Sequence, residues 1–353
     1  MDIVLEVLDT FLFDRIYATL VPVFPANKAY GLSKDAVANA TFSSARELPT
    51  TYQHQSASQF LHLEPSGWAY MSAWPRDFAL RQAISLFFIT WIFGMVLYFG
   101  FATLSYLFVF DKRTMNHPRY LKNQKRMEIA QTMESLPVMA ILTVPFFMLE
   151  VRGYSKLYDT TADGPGMWYN FFQFPLFLLF TDCCIYWIHR GLHHPLVYKT
   201  LHKPHHKWIV PTPFASHAFH PLDGYAQGLP YHIFPFIFPL QKFAYIALFT
   251  FINMWTITIH DGEYVANSPF INGAACHTLH HTLFNYNYGQ FTTLWDRLGG
   301  SYRKPDDQLF DRHLKMDSRE WARQSKGVDA MIKEVEGADD RSYFEKEQAK
   351  KVQ

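Results

Sequence analysis

The stretch Leu178-Leu179-Phe180-Thr181-Asp182-Cys183-Cys184-Ile185-Tyr186-Trp187-Ile188-His189-Arg190-Gly191-Leu192-His193-His194 reads as an apolar helix that ends in a cluster of histidines. The apolar run begins near Gly164 and reaches Ile188, long enough to cross a bilayer. His189 and His193 are four residues apart, so they share one helix face at the membrane boundary.

Working back from this stretch, the run from about Met127 to Leu149 is also apolar, although Pro137 and Pro145 interrupt it. With a turn around residues 152–163, the two runs form a membrane hairpin. Earlier still, no charged residue occurs from Gln82 to Phe110, between Arg81 and Asp111, which predicts a further spanning helix. Lys112, Arg113, Lys122, Lys125 and Arg126 follow it and place the next loop on the cytosolic side. Downstream, residues 224–241 and 243–260 are uncharged and separated by Lys242, a second hairpin or two half-buried segments. A hairpin crosses twice, so every histidine group returns to the cytosolic face and the N-terminus is lumenal. Asn39-Ala40-Thr41 is then a glycosylation sequon on the lumenal side.

The expected fold is therefore an all-α membrane protein of about four transmembrane helices, in two hairpins, with a cytosolic helical cap holding a His-rich dimetal site. Residues 1–80 form a lumenal or interfacial segment. Residues 81–305 form the membrane and catalytic domain, and residues 306–353 a charged cytosolic tail. Met1 to Val21 carries apolar residues at helical spacing broken by Glu6, Asp9, Asp14 and Arg15, which predicts an amphipathic helix at a surface rather than a signal peptide. The tail contains Lys350-Lys351, placed as in a retrieval signal of endoplasmic reticulum membrane proteins or as the charged end of a solvated helix.

The 353 residues carry a net charge of +1, so no nucleic-acid partner is expected. Charged residues make up 18%, below the roughly 25% of ordinary soluble domains. Cys183, Cys184 and Cys276 suit reduced, buried positions rather than a disulfide framework.

Three clusters carry the chemistry: His189, His193 and His194; His202, His205 and His206; His277, His280 and His281. Imidazole ligates iron, zinc, copper and nickel. One zinc takes about four ligands, so these nine histidines suit two metals rather than one. From His189 to His281 the only carboxylates are Asp223, Asp261 and Glu263, which excludes the glutamate-rich dimetal pattern of soluble bundles. His260, at the end of the second hairpin, and His220 are added to the ligand set; His217 is not. His54, His62, His117, His232 and His313 are read as ordinary core or interface residues.

A ligating imidazole generally donates its other N–H to a carboxylate or carbonyl. Asp182, seven residues before His189, and Asp261 are the expected site carboxylates, with Asp223 and Asp296 as alternatives. A surface pair with Arg297 is the competing reading of Asp296.

The stretch from Asp182 to Pro305 resembles the fatty acid hydroxylase and sterol desaturase superfamily, and most closely its sterol C-5 desaturase (lathosterol oxidase) branch. The resemblance rests on Tyr186-Trp187-Ile188-His189-Arg190-Gly191-Leu192-His193-His194-Pro195, Leu201-His202-Lys203-Pro204-His205-His206 and Pro213-Phe214-Ala215-Ser216-His217-Ala218-Phe219-His220-Pro221. It extends through Ile259-His260-Asp261-Gly262, Asn285-Tyr286-Asn287-Tyr288-Gly289-Gln290 and Leu294-Trp295-Asp296-Arg297. The tail and length look fungal. The resemblance implies four membrane helices under a cytosolic cap, two iron ions, dioxygen as co-substrate, and electrons from NADH through cytochrome b5 and its reductase. The reaction implied is formation of the C-5(6) double bond of a delta-7 sterol in ergosterol or cholesterol synthesis, in the endoplasmic reticulum membrane.

A sterol drawn from membrane lipid needs an apolar pocket; Phe171, Phe172, Phe174, Phe234, Phe236, Phe238 and Trp255 are candidates to line it. Lys199, Lys203 and Lys207 suit an acidic electron donor. The alternatives are a sterol C-4 methyl oxidase or lipid hydroxylase with the same di-iron site and, from another class, a non-redox zinc-binding membrane protein. The absence of an H-E-x-x-H motif weighs against a zinc hydrolase.

Overall fold

In hydrocarbon, backbone polar groups have no water to bind, so long uncharged segments close their hydrogen bonds within helices. The computed structural model describes residues 1–23, 56, 59–60, 63–265 and 267–343. Asn39, His54, His62 and Lys350-Lys351 lie outside the described residues.

The chain opens with α1 (Asp2–Leu8), a π-helical turn (Asp9–Phe13) and α2 (Asp14–Leu20). It continues with α3 (Ala79–Phe108), α4 (Gln124–Val151), α5 (Tyr169–Leu192), α6 (Pro221–Ile237), α7 (Lys242–Ile259), α8 (Ala274–Leu283) and α9 (Ser318–Val335). Four of these, α3, α4, α5 and α7, are long and apolar enough to cross a membrane. At about 1.5 Å per residue, α3 with 30 residues spans the roughly 30 Å hydrocarbon core with length to spare.

The first expected hairpin is α4–α5. The second pairs α7 with the shorter α6, whose 17 residues contain Pro230 and Pro235. α6 packs against both α4 and α5. Below it a short parallel pairing, Leu157–Tyr158 with Leu240–Gln241, ties the turns of the two hairpins together. Phe177, Phe234, Leu240, Tyr245, Leu248 and Ile252 form the core between α5, α6 and α7.

The N-terminal helix is turned opposite to the usual surface helix. Its acids are buried, with Asp14 1% exposed, while Phe11 and Leu20 are 73% and 72% exposed. The acids meet two arginines: Arg81 lies 2.6 Å from Asp14 and 2.8 Å from Asp9, and Arg76 lies 2.5 Å from Asp14. A buried charge without a partner is costly, so this cluster fixes the helix against the start of α3. The outward apolar residues suit contact with lipid.

The tail folds onto the cap. Val328 and Ile332 of α9 join Tyr198, Ile209 and Phe284 in one cluster, and Tyr343 is buried beside Trp208 and Leu121.

Candidate metal centre

The first histidine cluster sits where α5 ends. The second lies on a π-helical turn (Tyr198–His202) and a short helix (Lys203–His206); the third is on α8. Their side chains, with that of His260 at the end of α7, gather into two groups. His189, His193, His202, His206 and His280 form one, and His205, His260, His277 and His281 the other, with ligand atoms in each group within 4.8 Å of one another. Adjacent His205 and His206 go to different groups, so one short helix joins the two.

Facing Nε2 atoms are 3.1 Å apart for His189 and His202, 2.9 Å for His206 and His280, 2.9 Å for His260 and His277, and 3.2 Å for His277 and His281. Two nitrogens each about 2.1 Å from one ion are about 3.0 Å apart at a right angle and about 3.4 Å at a tetrahedral angle. The observed spacings therefore match the edges of coordination polyhedra. Both ring nitrogens of His193 are buried without a hydrogen-bond partner among the described residues, which a bound cation would remedy. The donor set fits two metal ions.

Burial, and next the neighbouring imidazoles, hold His193, His205, His206, His277, His280 and His281 well below the usual histidine range. Burial takes His260 down to about 3. These rings are neutral, the form that ligates metal.

Second partners orient several rings. His202 Nδ1 lies 2.7 Å from the Asp223 carboxylate. His189 Nδ1 faces the Tyr288 carbonyl at 2.9 Å, His280 Nδ1 the Tyr286 carbonyl at 2.8 Å, and His260 Nδ1 the Thr256 carbonyl at 2.6 Å. Each contact leaves Nε2 for the centre.

Asp182 and Asp261 do not fill this role. Asp182 accepts from the backbone N–H groups of Gln290, Phe291 and Thr292 at 3.0, 2.7 and 3.2 Å. Asp296 is fully buried and accepts from the N–H groups of Tyr288 and Gly289, both at 2.8 Å, rather than making a surface pair with Arg297. These two carboxylates clamp the loop whose carbonyls hold His189 and His280. Gly289 is required in that loop, because a Cβ would lie 2.5 Å from the Thr292 carbonyl oxygen. Asp261 accepts from the Glu263 N–H at 2.8 Å, and burial pushes its carboxyl up to about 7.

His194 and His220 stand outside both groups. Each precedes a proline that opens a helix, in extended backbone, and its Nδ1 accepts from the second helical N–H, at 3.4 Å for His194 and 3.3 Å for His220. The proline directs these rings into N-caps. His217 contacts Ser216 and Asn253.

A cavity of about 1070 Å³ extends toward the centre and stops one residue short of it, since none of the nine grouped histidines lines it. Its walls come from α1, α2, α3, α4, α6 and α7, with Ile185 the one contribution of α5, and none of the seven aromatic residues expected to line it does so. Phe234, Phe238 and Trp255 pack in the core between α5, α6 and α7, Phe236 packs on Phe146, and Phe171, Phe172 and Phe174 are exposed on α5. At the histidine end the wall includes Phe219, whose ring centroid is 4.4 Å from that of His205, and Thr256, the partner of His260.

Sequence reasoning also missed Tyr198, Glu336 and Arg341. The Tyr198 ring centroid is 5.4 Å from His193 and 5.9 Å from His206, and its hydroxyl donates to Glu336 at 3.0 Å. Arg341 donates to Glu336 at 2.8 Å and to the His206 carbonyl at 3.0 Å. A charged tail gives no local signal of such a contact.

Helices that cross the membrane and end in histidine-lined metal positions define a class, and residues 174–301 match the Fatty acid hydroxylase family. Relatives match over the whole length. The Delta(7)-sterol 5(6)-desaturase of Leptosphaeria maculans is 64% identical over 360 residues, covering 100% of both chains. The corresponding erg3A protein of Aspergillus fumigatus is 62% identical, covering 99% of each. That of Candida albicans, ERG3, is 47% identical, covering 98% of this chain and 100% of its own. The chain belongs to the Delta(7)-sterol 5(6)-desaturase family. No solved structure matches it.

Proposed function

We propose that this chain is the fungal sterol C-5(6) desaturase of ergosterol synthesis, acting on a delta-7 sterol with two irons, dioxygen, and electrons from NADH through cytochrome b5 and its reductase. It works in the endoplasmic reticulum membrane with the centre facing the cytosol. The observation that carries this reading is the pair of imidazole groups with an apolar cavity one residue away, across Phe219 and Thr256.

The target C–H bonds are unactivated, beyond the reach of acid–base groups. Bound iron supplies the oxidising power of reduced dioxygen. Everything else falls to the chain. The neutral imidazoles hold the metals, and Asp223 and the loop carbonyls fix their rings. The apolar walls hold a rigid sterol and keep water from the reacting carbons. Phe219 separates the cavity from His205 and sets how closely a ring system approaches.

On the opposite face, Lys199, Lys203 and Lys207 line a groove with Lys122 and Arg126. Its charge suits an acidic donor, and it lies just behind the second cluster.

The test is sterol profiling by mass spectrometry in a fungal strain lacking its own C-5 desaturase. Conversion of delta-7 to delta-5,7 sterols is expected on expression of the chain. Unchanged sterols with stable protein in the membrane would refute the assignment, and an oxygenated lipid product would replace it with a hydroxylase.

A further inference from the structure

A delta-7 sterol has one polar group, the hydroxyl of ring A, and only C4 separates C5 from the carbon that bears it. If C5 and C6 face the metals, the hydroxyl must bind at the histidine end of the cavity. A buried hydroxyl without a partner there would be costly.

That end offers a polar pair. His217 and Asn253 both line the cavity, and His217 Nε2 lies 3.1 Å from Asn253 Oδ1. The other side of the His217 ring is held by Ser216 at 3.0 Å. Asn253 donates one N–H to the Phe249 carbonyl at 2.8 Å. A primary amide has two N–H donors and two acceptor lone pairs, so one of each is left on Asn253. A hydroxyl, both donor and acceptor, takes both.

The position along α7 agrees. Asn253, Thr256 and His260 follow one another at three and four residues and so share a helix face. The rise from Asn253 to His260 is about 10 Å. Ring A held at Asn253 therefore presents its next carbons toward His260 and Phe219, where the cavity comes nearest the centre.

We propose that the Asn253–His217 pair receives the sterol hydroxyl and thereby fixes which ring carbons face the metals. This rests on the functional reading above. The rival anchor is His232, which lines the same cavity among Phe146, Phe147 and Phe249 and has an Nδ1 without a partner among the described residues. It lies eleven residues beyond Pro221, about 16 Å down α6. A hydroxyl there would carry C5 away from the centre, so His232 faces the sterol's other end.

The test compares a delta-7 sterol with its 3-deoxy analogue in membranes containing the full-length chain, cytochrome b5 and its reductase. A ratio of kcat/KM within one preparation is independent of how much enzyme is folded. Wild type should prefer the hydroxylated sterol by about tenfold or more. Asn253→Leu should lower kcat/KM for that sterol by about tenfold, mainly through KM, and leave the analogue unchanged, so the preference collapses. His232→Phe should keep it.

Equal use of both sterols by wild type, an intact preference in Asn253→Leu, or a collapse in His232→Phe instead would each overturn the proposal. If wild type desaturates neither sterol, the functional reading fails. Binding of the two radiolabelled sterols to purified wild type and Asn253→Leu then judges the subsite by itself: a wild-type preference lost in the variant supports it, and equal binding overturns it.

Discussion

The two histidine groups differ in what stands behind them. Behind the five-histidine group lies fixed scaffold: Asp223 on His202, the Tyr286 and Tyr288 carbonyls on His280 and His189, and a loop clamped by Asp182 and Asp296. Beside the four-histidine group lies the cavity, with Phe219 against His205 and Thr256 behind His260. One histidine group is braced by protein on its far side, and the other lies beside the cavity. A site that must stay rigid and still admit a sterol divides those duties between its halves.

Removing a ligand breaks the comparison most completely. His193→Ala, His206→Ala or His280→Ala should abolish turnover while the protein still accumulates in membranes, and purified variants should lose iron first from the five-histidine position. Sterol profiles and metal analysis of the same preparations check this.

Asp223→Asn should cost about 10- to 100-fold in activity or metal affinity, because His202 loses the carboxylate that orients it. Phe219→Leu acts only on the cavity side. It should leave iron content unchanged and alter kcat/KM by about tenfold or less, read from steady-state kinetics.

The smallest effect is expected at the two excluded histidines. His194→Ala and His220→Ala should retain both metals and most activity, each losing about 1 kcal/mol of stability through its helix cap. Loss of iron from either would return that residue to the ligand set.

Acid sharpens the comparison from another direction. Burial holds the imidazoles of the cap below the ordinary histidine value of about 6.5, with His260 down to about 3. Between those values the unfolded chain binds more protons than the folded one, so stability is present above about 6.5 and is lost as pH falls. The melting temperature of the metal-free protein should therefore drop between about pH 7 and about pH 5.

Much of this was legible in the chain. Uncharged runs marked α3 and the α4–α5 hairpin, because burial in lipid demands composition, and composition is local. Of the eleven histidines expected as ligands nine gather in the two groups, and spacing marked eight of those nine, because i, i+3 and i+4 positions share a face in any helix. The exceptions, His194 and His220, come from a competing local rule, since proline at the first helical position turns the preceding side chain into a cap. His260 followed from its depth at the end of a predicted helix.

What the chain did not disclose is long-range. Asp182 lies seven residues before His189, a spacing that puts both on one helix face, yet its partner is a loop about a hundred residues away. Aromatic content points to rings on α5, α6 and α7 as the cavity wall, while the structure builds the wall from other residues of α6 and α7 together with α3, α4 and the inverted N-terminal helix. The contacts of Tyr198 with Glu336 and of Arg341 with His206 depend on a tail that returns to the cap, which no pattern in its own sequence specifies.

The central claim is that the two histidine groups hold two separate metal ions. The measurement that tests it most directly is iron per chain in the purified full-length protein, beside His281→Ala, which opens only the four-histidine group. The account predicts about two irons in the wild type and about one in the variant. A single metal per chain in the wild type, or two metals retained in the variant, would contradict it.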